Sequence, residues 1–167
     1  MKSRTFSRAA FAALALVVVF SALAFGAGAF SPRVNVSLSG TVALGGGEVL
    51  LEQAGKVSPG EIISWNVAAS NIGDAPAHSI NVVGDIPQGT AYVDGSAGGD
   101  GVVGVKFSLE HPHENQTFTE RPTVHYTEGG VDRERPARAD EYKAIQMTFA
   151  RIGAGESLKA SYRTSVR

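Results

Sequence analysis

The closing stretch of the chain alternates strictly: Leu158, Ala160, Tyr162, Thr164 and Val166 interleave with Ser157, Lys159, Ser161, Arg163 and Ser165. A side-chain period of two belongs to a half-buried β-strand; a helix would scatter the same apolar residues around its axis. The pattern recurs upstream. Ile63, Trp65, Val67 and Ala69 share one face of 61–70, Ile80, Val82 and Ile86 share one face of 78–86, and Val103, Val105, Phe107 and Leu109 are the expected inward set of 103–110. Further strands are predicted over 34–44, 48–52, 90–93, 122–127 and 142–150, eight or nine in all.

Turn chemistry separates these runs: Pro59-Gly60, Gly73-Asp74, Pro87-Gln88-Gly89, Gly98 to Gly101, Gly129-Gly130 and Gly153 to Gly155. Proline presets one turn angle and glycine tolerates positive φ. Many short alternating strands with such punctuation predict an all-β fold. One antiparallel sheet would leave an apolar face in water, so the expected architecture is an immunoglobulin-like antiparallel β-sandwich, with its inward residues, Ile63, Trp65, Val67, Ile80, Val82, Phe107, Met147, Phe149 and Tyr162, as the core. Trp65 belongs to that core rather than to a stacking platform, because it alternates with Ile63 and Val67.

A different grammar governs the first 29 residues. Lys2, Arg4 and Arg8 precede an apolar run, 9–25, broken only by Ser21, and Ala27-Gly28-Ala29 matches a small-x-small cleavage site ahead of Phe30. The expectation is a hydrophobic signal helix over 1–29 followed by one domain over 30–167. Export places that domain in the periplasm, at the cell surface or outside the cell. The uncharged stretch from Ala9 to Pro32 also approaches the roughly 20 residues that span a bilayer, so a membrane-anchored form is the alternative. Membrane contact is expected only through residues 9–29.

With Lys2, Arg4 and Arg8 set aside, 12 of the 15 basic side chains remain against all 16 acidic ones, a formal charge of −4. Phosphate backbones need a concentrated positive field, so no nucleic-acid partner is expected. The one basic cluster, Arg133, Arg135 and Arg138, is interrupted by Asp132 and Glu134 and is expected in a solvated loop spanning 128–140. The chain has no cysteine, which excludes disulfides, thiolate metal sites and cysteine nucleophiles.

No nucleophile elbow, Walker loop, dinucleotide fingerprint or H-E-x-x-H occurs, and no catalytic residue and no cofactor is assigned. His111, His113 and Glu114 are the candidate metal ligands: two imidazoles and a carboxylate suit zinc or copper, and Pro112 biases His111 toward extended geometry. A metal- or small-ligand-binding secreted domain using the 111–114 loop is therefore the alternative function. Asp94 to Gly101 resembles a calcium loop only superficially, since Val105 stands where an EF-hand requires glutamate. His125 is expected on the outer face of a strand, and His78 at the opening of another.

The run PGEIISWNVAASNIGDAPAHSINVVGDIPQGTAYVDGSA resembles the conserved repeat domain of bacterial and archaeal surface proteins, a domain of unknown function numbered eleven. The residues carrying the resemblance are Pro59-Gly60-Glu61, the turn Asn71, Gly73 and Asp74, the segment Ile86-Pro87-Gln88-Gly89 with Tyr92-Val93 and Gly95-Ser96, and the closing Gly153 to Ser157. That family commonly has Asp where Gly84 stands here, with the acidic residue displaced to Asp85. The resemblance implies an immunoglobulin-like sandwich, present as a single copy, and a secreted or envelope location, and it brings no catalytic residues. Together these readings predict a non-catalytic, exported cell-envelope structural or protein-interaction module, whose partner is an envelope or surface protein of unknown identity.

Overall fold

The computed structural model describes residues 30–44 and 46–167, so the expected signal segment lies outside the described residues. The described part is all-β and antiparallel. Its strands are β1 (Val34–Leu44), β2 (Gly47–Leu50), β3 (Ile62–Asn71), β4 (Ala77–Asp85), β5 (Thr90–Tyr92), β6 (Gly98–Gly99), β7 (Val102–Ser108), β8 (Thr123–Glu128), β9 (Val131–Pro136), β10 (Ala144–Ile152) and β11 (Ser157–Val166), with one 3₁₀ turn at Ala139–Glu141.

One sheet runs β2-β1-β3-β11-β5, with β6 also on β11, and the other runs β4-β10-β7. Ile63, Trp65, Val67, Ala160 and Tyr162 of the first sheet share one buried cluster with Ile80, Val82, Ile145, Met147 and Phe149 of the second. This sandwich-like arrangement satisfies the period-two residues of both layers at once. Trp65 and Tyr162 face each other as a cross-strand pair with rings 6.2 Å apart. Burial would strand the indole N–H, and it donates instead to Thr164 Oγ1 at 3.0 Å. The Tyr162 phenol crosses to the second sheet and donates to the Asp85 carbonyl at 2.8 Å, and burial pushes its ionisation far up.

Gly84 now has a physical reason. A Cβ there would lie 2.7 Å from the Tyr162 hydroxyl oxygen, so the second sheet accepts this ring only where a side chain is missing.

The inward set expected of β7 needs correction. Val103 is 68% exposed, whereas Val102 packs against the core. The cause is a β-bulge: Thr148 pairs with Gly104 but Phe149 pairs with Val102, so Val103 is an extra residue that reverses the in/out parity beyond it.

At one end the layers are tied by Asn71. Its Oδ1 accepts from the Arg33 and Gly73 backbone N–H groups, both at 3.1 Å, and its Nδ2 donates to the Ala75 carbonyl at 2.7 Å and to the Ile152 carbonyl at 3.1 Å. Asp74 Oδ1 accepts from Ser31 N at 2.8 Å, and Ile72 N donates to the Arg33 carbonyl at 2.8 Å. The segment 31–33 thus lies across Gly73, where a Cβ would meet the Ser31 carbonyl oxygen at 2.3 Å.

Candidate interaction surface

The basic cluster expected in a loop is instead half of a hairpin. Glu128 pairs with Val131 across Gly129-Gly130, whose φ values of 61° and 80° are those of a two-residue type I′ turn. β8 and β9 then pair from Thr127–Asp132 to Thr123–Pro136. The loop expectation for 128–140 failed because Asp132-Arg133-Glu134-Arg135 has no apolar alternation to mark a strand. Its strand character comes from the turn and from the partner.

The hairpin projects. β8 and β9 form a sheet of their own, and apart from half-buried Val124 and Arg135, a cross-strand pair at its base, all their residues are exposed. One face carries Val124, Tyr126 and Glu128 with Arg135, Arg133 and Val131, and the other carries Thr123, His125 and Thr127 with Pro136, Glu134 and Asp132. Arg133 bridges diagonally to Glu128 at 3.2 Å. On the opposite face His125 lies 3.8 Å from Glu134, and Thr127 Oγ1 donates to Asp132 at 2.9 Å.

Its base is held by charge-assisted bonds. Arg135 makes a two-pronged contact with Glu141, Nη1 to Oε2 and Nη2 to Oε1, each 2.6 Å, while the Arg138 backbone N–H donates to Glu141 Oε2 at 2.8 Å. These donors hold the Glu141 carboxyl at about 2, well below the usual carboxylate range. Ala137 N donates to the Pro122 carbonyl at 2.8 Å, closing the neck. Glu141 is in turn fixed by its neighbour Tyr142, whose ring stacks on Phe107 at 4.3 Å, and both contact Tyr92 of the other sheet. Sequence patterning missed Glu141 as the anchor, because nothing in a charge run announces which carboxylate will meet which arginine.

Beside the neck lies the 109–122 segment. Thr119 exchanges both backbone bonds with Phe107, so the segment returns along the edge of β7 before entering β8. His111 Nδ1 contacts Asp85 Oδ1 at 2.8 Å, whereas His113 Nε2 contacts Glu110 Oε2 at 2.8 Å and its Nδ1 bonds the Glu114 carbonyl at 2.7 Å. The Glu110 contact, then the Glu114 carbonyl, raises the His113 imidazole above its ordinary 6.5. The two candidate metal-binding imidazoles are therefore engaged with different carboxylates, and Glu114 is used through its backbone. Among the described residues no three His, Asp or Glu side chains are grouped to hold a metal ion.

The remaining expected positions are plain. Asp94 to Gly101 contains a turn closed by Ser96 N on the Val93 carbonyl and the short β6 on β11. His78 and His125 are exposed on strands, and no buried side-chain polar atom among the described residues lacks a partner. Searched against protein-family models the chain matches none, and comparison with curated proteins and with solved structures finds no match.

Proposed function

We propose that this chain is an exported, non-catalytic module of the cell envelope, an immunoglobulin-like sandwich that presents the β8–β9 hairpin and the adjoining 109–122 segment to a protein partner. The observation that carries this reading is the hairpin itself: a charged, exposed arm bolted to the body by Arg135 and Glu141, with no part in the shared core. A scaffold gains nothing in stability from such an arm, since exposed ion pairs contribute little. Loops and hairpins at the ends of a rigid body are where recognition is ordinarily carried.

The resemblance to the surface-protein repeat domain supports the same reading. Its turn residues Asn71, Gly73 and Asp74 stitch segment 31–33 to the body, so cleavage after Ala29 would leave only Phe30 beyond the first stitched residue. The mechanism is mechanical: a stiff two-layer body holds its arm at a fixed place relative to the point where the chain leaves the membrane or the processing enzyme.

Cell fractionation with intact-mass measurement tests export. The expected result is a chain beginning at Phe30 in the exported fraction, or a full-length chain in the membrane fraction with the domain open to added protease. A full-length chain in the cytosol would overturn the proposal.

A further inference from the structure

The projecting hairpin has two free edges, and they are built differently. Because Glu128 and Val131 flank a two-residue turn, they form a hydrogen-bonded pair, and bonded pairs then alternate at Tyr126–Arg133 and Val124–Arg135. The bond from Ala137 N to the Pro122 carbonyl continues that same phase. The backbone groups of Thr123, His125 and Thr127 therefore point away from β9, and those of Asp132, Glu134 and Pro136 point away from β8.

Exposed edges invite another strand unless something blocks them. The β9 edge is blocked: Pro136 has no N–H to offer, and two-fold pairing about Arg133 or Glu134 sets like charges opposite one another. The β4 edge is interrupted by Ser79, at φ 51°, and the β7 edge by the bulge at Val103 and by Thr119. The β2 edge is short and carries Glu48. From Thr123 to Thr127 the β8 edge has no proline, bulge, aspartate, glutamate, lysine or arginine, and every residue there is β-branched or aromatic in character, Thr-Val-His-Tyr-Thr.

We infer that the β8 edge pairs with the same edge of a second copy of this chain, antiparallel about a two-fold axis at His125. That register places Val124 against Tyr126 of the second copy, Thr123 against Thr127, and His125 against itself. Each of the outward-facing pairs exchanges both backbone bonds, and β-branched–aromatic and Thr–Thr neighbours are favourable cross-strand pairs. Pairing covers Tyr126, which is 39% exposed, and makes a continuous β9-β8-β8-β9 sheet across the axis. Only registers of this parity keep matching faces on the same side under a two-fold, so the choice narrows to those centred on a β8 residue. Centring on Tyr126 instead sets Val124 against Glu128, and centring on Val124 sets Tyr126 against Pro122. The inference rests on the reading of this chain as an interaction module and names its partner.

The chain has no cysteine, so one introduced thiol reports one contact. His125→Cys sets two thiols across a bonded pair, with Cα atoms about 5.5 Å apart, within disulfide reach. Glu134→Cys places a thiol at a comparably exposed position, 64% against 79% for His125, on the blocked edge. With the full-length chain and diamide, which takes up the two electrons and two protons released as the disulfide forms, His125→Cys should yield covalent dimer about tenfold faster than Glu134→Cys. Adding Thr127→Pro removes an outward N–H without removing a β8–β9 bond and should reduce the His125→Cys rate to that of Glu134→Cys. Equal rates for the two single variants, no covalent dimer from His125→Cys, or no effect of Thr127→Pro in a variant with an unchanged circular dichroism spectrum would overturn the pairing. A β8 edge protected from hydrogen exchange only when a different envelope protein is added would also overturn it, while leaving the exported interaction module, tested by fractionation, intact.

Discussion

The Asn71 side-chain amide donates to the Ile152 carbonyl at 3.1 Å, joining the last residue of β3 in one sheet to the last residue of β10 in the other. The same side chain also accepts from Arg33 and Gly73 and donates to Ala75, so its full hydrogen-bonding capacity is used where the two layers and the incoming chain converge. A residue in this position acts as a clamp between the layers.

Asn71→Ala should therefore cost about 3 kcal/mol, because it orphans several backbone groups at a buried site, and lower the melting temperature by roughly 10 °C. Asn71→Asp should be no milder, since it turns a carboxylate oxygen toward the Ala75 and Ile152 carbonyls. Thermal unfolding followed by circular dichroism checks both.

Gly84→Ala is expected to destabilise the protein by about 2 kcal/mol, since the added methyl collides with the buried Tyr162 ring and hydroxyl. Gly84→Asp should be worse. Pairing Gly84→Ala with Tyr162→Phe should recover part of the loss, because the atom nearest the new methyl is then gone; denaturant midpoints measure this coupling.

Much of this body was legible in the chain. Ile63, Trp65, Val67, Met147, Phe149 and Tyr162 are buried as their alternation required, because a period of two is imposed by backbone geometry. Phe107 is only half-buried but packs against the core. What escaped is non-local or arises from a single inserted residue. The bulge at Val103 reverses parity without any mark in composition, and β9 is a strand only because Gly129-Gly130 folds it onto β8. The pairing of Arg135 with Glu141, and of His111 with Asp85 rather than with His113, depends on how loops return in space. The candidate arm was therefore visible as polar sequence but not as a structure.

The bulge makes a simple prediction. Val103→Thr should leave stability within about 0.5 kcal/mol of the parent, while Val102→Thr, on the side facing the core, should cost on the order of 1 kcal/mol or more. The opposite ranking would mean that β7 runs without the bulge.

Arg135→Gln should free the hairpin at its neck with little change in melting temperature, seen as faster hydrogen exchange in 123–136 while β3, β10 and β11 stay protected. Acid should have a related effect. The Glu141 carboxyl is depressed in the folded chain, from an ordinary 4.5 to about 2, so its contribution is complete above 4.5 and is lost as pH falls through that window. Protection of the hairpin amides, measured against the intrinsic exchange rate at each pH, should fall in the parent as pH drops between those values, and in Glu141→Gln it should be low already at neutral pH.

His113 behaves in the opposite sense. Its imidazole is raised by Glu110 and the Glu114 carbonyl, so the contribution of the charged pair is complete below about 6.5 and fades as pH climbs through the raised value. An NMR titration should find His113 above 6.5, and Glu110→Gln should bring it down.

The proposed function requires a self-sufficient body and a separable arm. Pro122 and Ala137 are hydrogen-bonded neighbours, so residues 123–136 can be replaced by a short glycine-rich turn. The most direct measurement compares this deletion with the parent, expressed in the same cells, for melting temperature, export and envelope crosslinks. The expected result is unchanged export, a melting temperature within a few degrees of the parent and loss of the crosslinked species. Unfolding of the body, or crosslinks that persist unchanged without the arm, would contradict it.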